Sequence, residues 1–216
     1  LLINYYLLKR GLNPSIKLGD YDNVVQESYN QKHADLIIVH IDMIKIIENA
    51  GVFIEDLSEG SIKQLVDSTF SDIALIVNNL KHAPAVLFSL FTASGIYSDP
   101  LAVSNAKHIC QRLNDYLSGI ETTNMYLMDI GELITAVGLA QSIDYRMYYL
   151  SKNLYTIQFW KEYVLKISPL IFKLSGIQKK VLIFDCDNTL WGGILGEDGL
   201  DNIQLGAHSP IGQIFN

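Results

Sequence analysis

The sequence predicts an α/β protein built on a mostly parallel sheet, with a second α/β unit beginning near its carboxyl end. Three observations carry that prediction. Strand-like apolar runs alternate with stretches of helical periodicity through residues 1–174. The strand-like runs are continuously apolar, as in Leu36-Ile37-Ile38-Val39, which suits a sheet covered on both faces. After Gly176 the pattern restarts with Val181-Leu182-Ile183-Phe184.

Residues 1–10 read as an amphipathic helix closed by Gly11, which suits a helix C-terminus. Residues 15–18 read as a short strand. Residues 21–30 read as a helix with Asp20 as N-cap. Residues 35–41 form the first buried strand, and a short helix follows at 43–49. Residues 58–81 form a long helix, with Ile62, Leu65, Val66, Ile73, Leu75, Ile76 and Leu80 near helical spacing. Strands are expected at 85–91 and 124–129, with a helix at 103–117 between them. The tyrosine-rich stretch 139–154 is expected to be irregular, and residues 157–174 to form a helix before Gly176. Residues 181–184 would then be a buried strand with Asp185 at its carboxyl end, where ligands sit in α/β sheets. The glycine-rich run that follows carries too many turn signals for a helix and reads as a hairpin-like excursion. The boundary between two domains falls between Ser175 and Lys179, giving domains at 1–175 and 176–216.

The chain has 216 residues, 49% of them apolar, with 16 basic and 23 acidic residues and a net charge of -7. That is enough apolar material for a real core. No cluster of lysine and arginine offers a footprint for a phosphate backbone, so no nucleic-acid partner is expected. The two cysteines, Cys110 and Cys186, supply neither a disulfide framework nor a zinc motif, which points to a reducing, cytoplasmic setting. No apolar run approaches the roughly 20 residues of a membrane span, so no membrane partner is expected. The sequence opens Leu1-Leu2-Ile3-Asn4 without a methionine, as expected of a chain that continues upstream.

The motif that carries chemistry is Asp185-Cys186-Asp187-Asn188-Thr189. Two aspartates two residues apart after an apolar strand are too costly to bury unpaired. A magnesium ion would offset their charge, taking carboxylate, carbonyl and phosphate oxygens. The first carboxylate can attack phosphorus. The second can protonate a leaving group and later activate an acceptor. The Thr189 hydroxyl can hold the loop by local hydrogen bonds. The plainer alternative is an aspartate-rich turn.

The flanking residues separate these readings. Residues 181–206, VLIFDCDNTLWGGILGEDGLDNIQLG, resemble the FkbH-like family of the HAD superfamily. The resemblance implies a Rossmann-like HAD domain, here its first strand and flap. It implies Asp185 as nucleophile and Mg²⁺ ligand, Asp187 as acid/base with its backbone carbonyl on the metal, and residues 191–206 as the flap. It implies a reaction as well: dephosphorylation of bisphosphoglycerate and loading of the glyceryl unit onto an acyl carrier protein. Cys186 replaces a plain apolar residue and is read as a small hydrophobe rather than an acyl carrier. A phosphoryl site also needs a hydroxyl residue, a lysine and a further acid. The sequence ends soon after the flap, so by itself it is expected to release no phosphate above background.

Residues 1–175 resemble, more loosely, the N-terminal region of the same family, which implies a flavodoxin-like, SGNH-hydrolase-type three-layer fold lacking its first strand. The family's Asp-x-x-His would fall at Asp144-Tyr145-Arg146-Met147, where methionine stands for histidine. Without an imidazole a serine has no base, so this domain is expected to be non-hydrolytic and to bind a partner. His40 with Asp42 at a strand end is read as a satisfied structural pair, and Asp144 with Arg146 as an ion pair. Tyr145, Tyr148, Tyr149, Tyr155, Phe159 and Trp160 are read as sealing the domain junction, or as lining a groove for a carrier arm. Asn78-Asn79 reads as an exposed helix face. His33, His82, His108 and His208 lack ligand spacing. Three functions remain open: glyceryl transfer to a carrier protein, hydrolysis of a small phosphate ester, and a first domain that is a binding module without chemistry.

Overall fold

Three short strands set the architecture of the first part of the chain: β1 (Ile37–Val39), β2 (Val86–Ser89) and β3 (Met125–Met128). They pair in parallel in the order β1-β2-β3, with Ile38 opposite Leu87 and Leu87 opposite Tyr126. The computed structural model describes residues 2–20, 22–50, 54–96, 104–176, 185–207 and 209–213. By their contacts the residues form two compact units, Leu1–Gly176 and Ile177–Asn216.

The sheet of the first unit lies between two helical layers. Side chains alternate across a strand, so β2 sends Val86 and Phe88 to one face and Leu87 to the other. On the first face pack α3 (Met43–Ala50), α4 (Glu59–Leu80) and α5 (Asn105–Ser118), with α2 (Val24–Asn30) against α4. On the second face pack α6 (Ile130–Val137) and α9 (Ile157–Leu174), joined by two short helices, α7 (Leu139–Ser142) and α8 (Tyr145–Ser151). Helix α1 (Leu2–Lys9) packs against α9. The α/β class and the parallel, doubly covered sheet are thus as the continuous apolar runs predict. Val86, Leu87 and Phe88 are 4%, 4% and 0% exposed, and each such side chain contributes about 1.5–3 kcal/mol by leaving water.

Several helix limits follow from local chemistry. Ser58, Ser104, Asp129 and Thr156 each accept a backbone N–H from three residues on, satisfying a donor left open in the first turn. Gly11 closes α1 at φ +81°, donating its N–H to Leu8. Among the described residues no helix is long and apolar enough to cross a membrane.

Four elements differ from the sequence reading. Residues 15–18 form no strand: Ile16 and Leu18 are exposed, and an alternating run pairs only when a neighbouring strand offers a ladder. Helix α2 starts at Val24 rather than residue 21, because Asp22 sits at φ +64°, outside helical space, and Asn23 rather than Asp20 occupies the cap. The stretch 139–154 is not irregular, since it contains α7 and α8. Helix α6 is an addition, and its Asp129-Ile130-Gly131-Glu132 start carries the acidic form of a capping signature. The expected strand at residues 181–184 and His208 lie outside the described residues.

Candidate functional site

The loop of residues 185–204 in the second unit is built from side chains that accept backbone N–H groups. Asp185 is exposed, and its Oδ1 accepts the N–H of Cys186 at 3.0 Å. Thr189 and Leu190 both donate to the Cys186 carbonyl, closing a turn, and Asn188 takes the left-handed conformation at φ +55°. Asparagine tolerates that region better than most side chains. The Asn188 Oδ1 accepts Gly193 N–H at 2.9 Å.

Asp187 is half-buried and reaches further. Its Oδ1 accepts the Trp191 indole Nε1–H at 3.1 Å and the Leu195 N–H at 3.1 Å. Leu195 opens a single helical turn, α10 (Leu195–Asp198), and its amide is one of the donors a helix start leaves open. Asp198 Oδ2 accepts Ile194 N–H at 2.8 Å. Reciprocal hydrogen bonds between Gly192 and Gln204, at 3.0 and 2.8 Å, close the base of the loop as a hairpin would. Gly193 lies at φ +108°, and a Cβ there would meet Asp198 Oδ2 at 3.0 Å, so both the backbone and the space favour glycine. The excursion is therefore hairpin-like at its base and holds a helical turn where turns alone were expected.

Two further points correct the sequence reading. The Thr189 hydroxyl has no hydrogen-bond partner among the described residues, so the loop takes its shape from Asp187, Asn188 and Asp198 instead. Asp198 is a loop-forming residue that the sequence reading missed, although an aspartate directly before a glycine is itself a turn signal. Among the described residues no group of three or more His, Cys, Asp or Glu could hold a metal. What the loop offers a cation is the exposed Asp185 carboxylate with the Asp187 residue two positions on.

The chain is similar to the crystal structure of the N-terminal part of the protein BF1531 from Bacteroides fragilis, which contains a phosphatase domain and is complexed with Mg. The TM-score is 0.71 at 21% identity. That likeness shows the fold. It covers 99% of this chain and 58% of the other, so this chain spans somewhat over half of its neighbour's length. No family model matches the sequence, and no curated protein matches it.

The first unit holds a second polar cluster, at the carboxyl ends of its strands. His40 Nε2 and Asp42 Oδ1 lie 3.0 Å apart just after β1, with side chains 20% and 25% exposed. The Tyr155 hydroxyl donates to the same Oδ1 at 2.8 Å, across 113 residues of sequence. Burial pushes Asp42 upward, but the His40 hydrogen bond and charge and the Tyr155 hydroxyl together outweigh it, and the carboxyl ends below its usual range. Burial, then the Asp42 charge, holds Tyr155 well above the usual phenol value.

The other singled-out residues are structural. Asp144 accepts N–H groups from Arg146 and Met147 and so caps α8, and Arg146 Nε stands 3.5 Å from its Oδ1 as an exposed ion pair. Tyr148, Tyr155 and Phe159 belong to the core of the first unit, with Tyr155 and Phe159 stacked at 4.1 Å. Asn79 is not a bare surface residue: its amide donates to Ser28 Oγ at 2.9 Å and ties α4 to α2, while Asn78 is exposed.

Proposed function

We propose that the protein is a magnesium-dependent phosphoryl-transfer enzyme of HAD type, with Asp185 as nucleophile and Asp187 as acid/base. The observation that carries this is the division of labour between the two aspartates. Asp185 is exposed, while Asp187 is held by the Trp191 indole and the Leu195 amide of the flap. The likeness to a protein that contains a phosphatase domain and binds Mg supports it.

In this reading an Asp185 carboxylate oxygen attacks phosphorus, and the bond from phosphorus to the leaving oxygen breaks. Asp187 gives that oxygen its proton. Asp187 then takes a proton from water as the water attacks the phosphorus of the aspartyl phosphate; inorganic phosphate leaves and the Asp185 carboxylate is regenerated. With both flap donors on Oδ1, the Asp187 Oδ2 serves that proton transfer. Mg²⁺ would be held by the Asp185 carboxylate and the Asp187 backbone carbonyl, and would offset phosphoryl charge when bound. A carboxylate and carbonyl donor set suits Mg²⁺, which keeps several waters. Thr189 stands in the same loop as the third residue of the motif.

The finer reading follows the FkbH-like pattern of residues 181–206. There the phosphorylated substrate is bisphosphoglycerate: the Asp185 steps remove its ester phosphate to water, an acyl carrier protein thiol attacks the carbonyl carbon of its acyl phosphate and expels the second phosphate, and the setting is cytoplasmic biosynthesis. Residues 1–175 are then an SGNH-like, non-hydrolytic docking domain. The capping role of Asp144 supports the loss of hydrolysis, since its Oδ1 serves the α8 backbone. The second reading is a small-molecule phosphatase, favoured by the phosphatase domain of the structural neighbour.

The test uses the natural full-length protein with Mg²⁺, bisphosphoglycerate and a phosphopantetheinylated carrier, with the carrier weighed intact. Phosphate release that Asp185→Asn lowers by at least about a thousandfold is expected, because no other group replaces a covalent nucleophile. Release that persists in that variant would sink the assignment of Asp185. A glyceryl mass gain on the carrier supports transfer, and release without mass gain supports the phosphatase.

A further inference from the structure

Asp187 and Trp191 meet across the tight turn that follows Asp185. The Thr189 and Leu190 N–H groups close that turn on the Cys186 carbonyl, and residues 187 and 191 form a backbone bridge. The half-buried Trp191 donates its indole Nε1–H to Asp187 Oδ1 at 3.1 Å. The Leu195 N–H meets the same oxygen at 3.1 Å, and Oδ2 receives no donor from the described residues. The indole is anchored on its other side as well. The next residue, Gly192, is buried and exchanges two backbone hydrogen bonds with Gln204.

We infer that Trp191 is a positioning residue for phosphoryl transfer, acting through Asp187 by fixing which carboxylate oxygen meets the leaving group. The inference rests on the assignment of Asp187 as acid/base and deepens it. The torsion that turns a carboxylate is broad, so an unheld Asp187 would offer either oxygen over a range of directions. Two N–H groups on Oδ1 select one orientation. An indole Nε1–H and a backbone N–H donate and cannot accept, so a carboxyl proton on Oδ1 would oppose both of them. The proton of the acid form therefore belongs on Oδ2. A phenylalanine at position 191 would keep an aromatic ring but leave Oδ1 with the Leu195 amide alone. A reacting group misplaced by about 1 Å loses on the order of 100-fold in rate, so the lost donor has a kinetic consequence.

The leaving group provides the test. A general acid matters for an alcohol, whose oxygen needs a proton as it departs, and little for 4-nitrophenolate, which departs as an anion. The natural full-length protein with Mg²⁺ is assayed on benzyl phosphate and 4-nitrophenyl phosphate, two esters of similar shape. The quantity compared is kcat/KM, which covers the steps up to the aspartyl phosphate and not its hydrolysis. Trp191→Phe is expected to lower kcat/KM for benzyl phosphate at least about tenfold more than for 4-nitrophenyl phosphate. Equal losses on both esters, or none, overturn the inference, since a merely structural role lowers both alike. Failure of the phosphoryl reading looks different, because turnover of both esters then survives Asp185→Asn. A second measurement needs neither turnover nor a folded Trp191→Phe. NMR follows the exchange of the Trp191 indole N–H with solvent in the wild type and in Asp187→Ala. Loss of the acceptor is expected to speed that exchange at least about tenfold. An unchanged exchange rate overturns the inference, and this measurement decides if neither ester is turned over.

Discussion

Tyr155 shows how a single residue joins distant parts of the first unit. Its hydroxyl reaches Asp42 from the start of α9, while its ring stacks on Phe159 in the core. Tyr155→Phe keeps the stack and removes one hydrogen bond to a carboxylate, so it is expected to cost about 1.5–3 kcal/mol in urea unfolding at neutral pH. The pH dependence has a definite sign. Asp42 has a depressed folded value, so its contribution is full above the unfolded value of 3.8 and is lost as pH falls through the folded one. The gap between wild type and Tyr155→Phe should therefore shrink below about pH 3.8. A gap that stays constant between pH 7 and pH 3 would mean that the hydroxyl acts elsewhere. The sequence showed His40 and Asp42 as neighbours and not their partner, because no local pattern links residues 113 positions apart. In the second unit the reverse holds. Asp185, Asp187 and Thr189 stand out in the sequence as a dense Asp-x-Asp-x-Thr pattern, whereas the part of Asp187 in holding the loop depends on where Trp191 and Leu195 come to lie.

Among the elements, α8 shows how a cap decides what composition leaves open. Its tyrosine-rich sequence lacks a strong helical signal, and its first turn is fixed by Asp144, which accepts the N–H groups of Arg146 and Met147. Asp144→Ala is expected to cost about 1 kcal/mol, the usual worth of an N-cap. Arg146 is 90% exposed, so Arg146→Ala should stay within about 0.5 kcal/mol. Thermal unfolding of both variants checks this pair, and equal losses would assign the effect to the ion pair instead of the cap. Long elements were legible because their periodicity repeats: α4 and α9 lie within a residue of the limits read from sequence. Short elements were not. Residues 15–18 have strand-like alternation but no partner edge, and α6 through α8 depend on caps and on packing over the second face of the sheet.

At the level of the whole molecule, the first unit contains both of its hydrophobic clusters within residues 1–176. A protein cut after Gly176 is therefore expected to unfold in one cooperative transition by circular dichroism. Loss of cooperativity would show that its core needs residues beyond that point. The second unit has a different character, since its described part is largely exposed and is organised by side-chain to backbone hydrogen bonds rather than by a core.

The sequence by itself determined the α/β class, the parallel sheet and the aspartate loop. Each rests on a local signal: continuous apolar strands, helical periodicity, and a dense motif of chemically committed residues. Only the tertiary structure decided which aromatic side chains form the core, which carboxylate holds the loop that follows the aspartate motif, and that Asp42, Tyr145 and Tyr155 lie close to the loop after β2. Those outcomes depend on contacts between segments far apart in the chain. Such contacts come from packing helices onto the two faces of a sheet, and a one-dimensional pattern carries no record of that geometry.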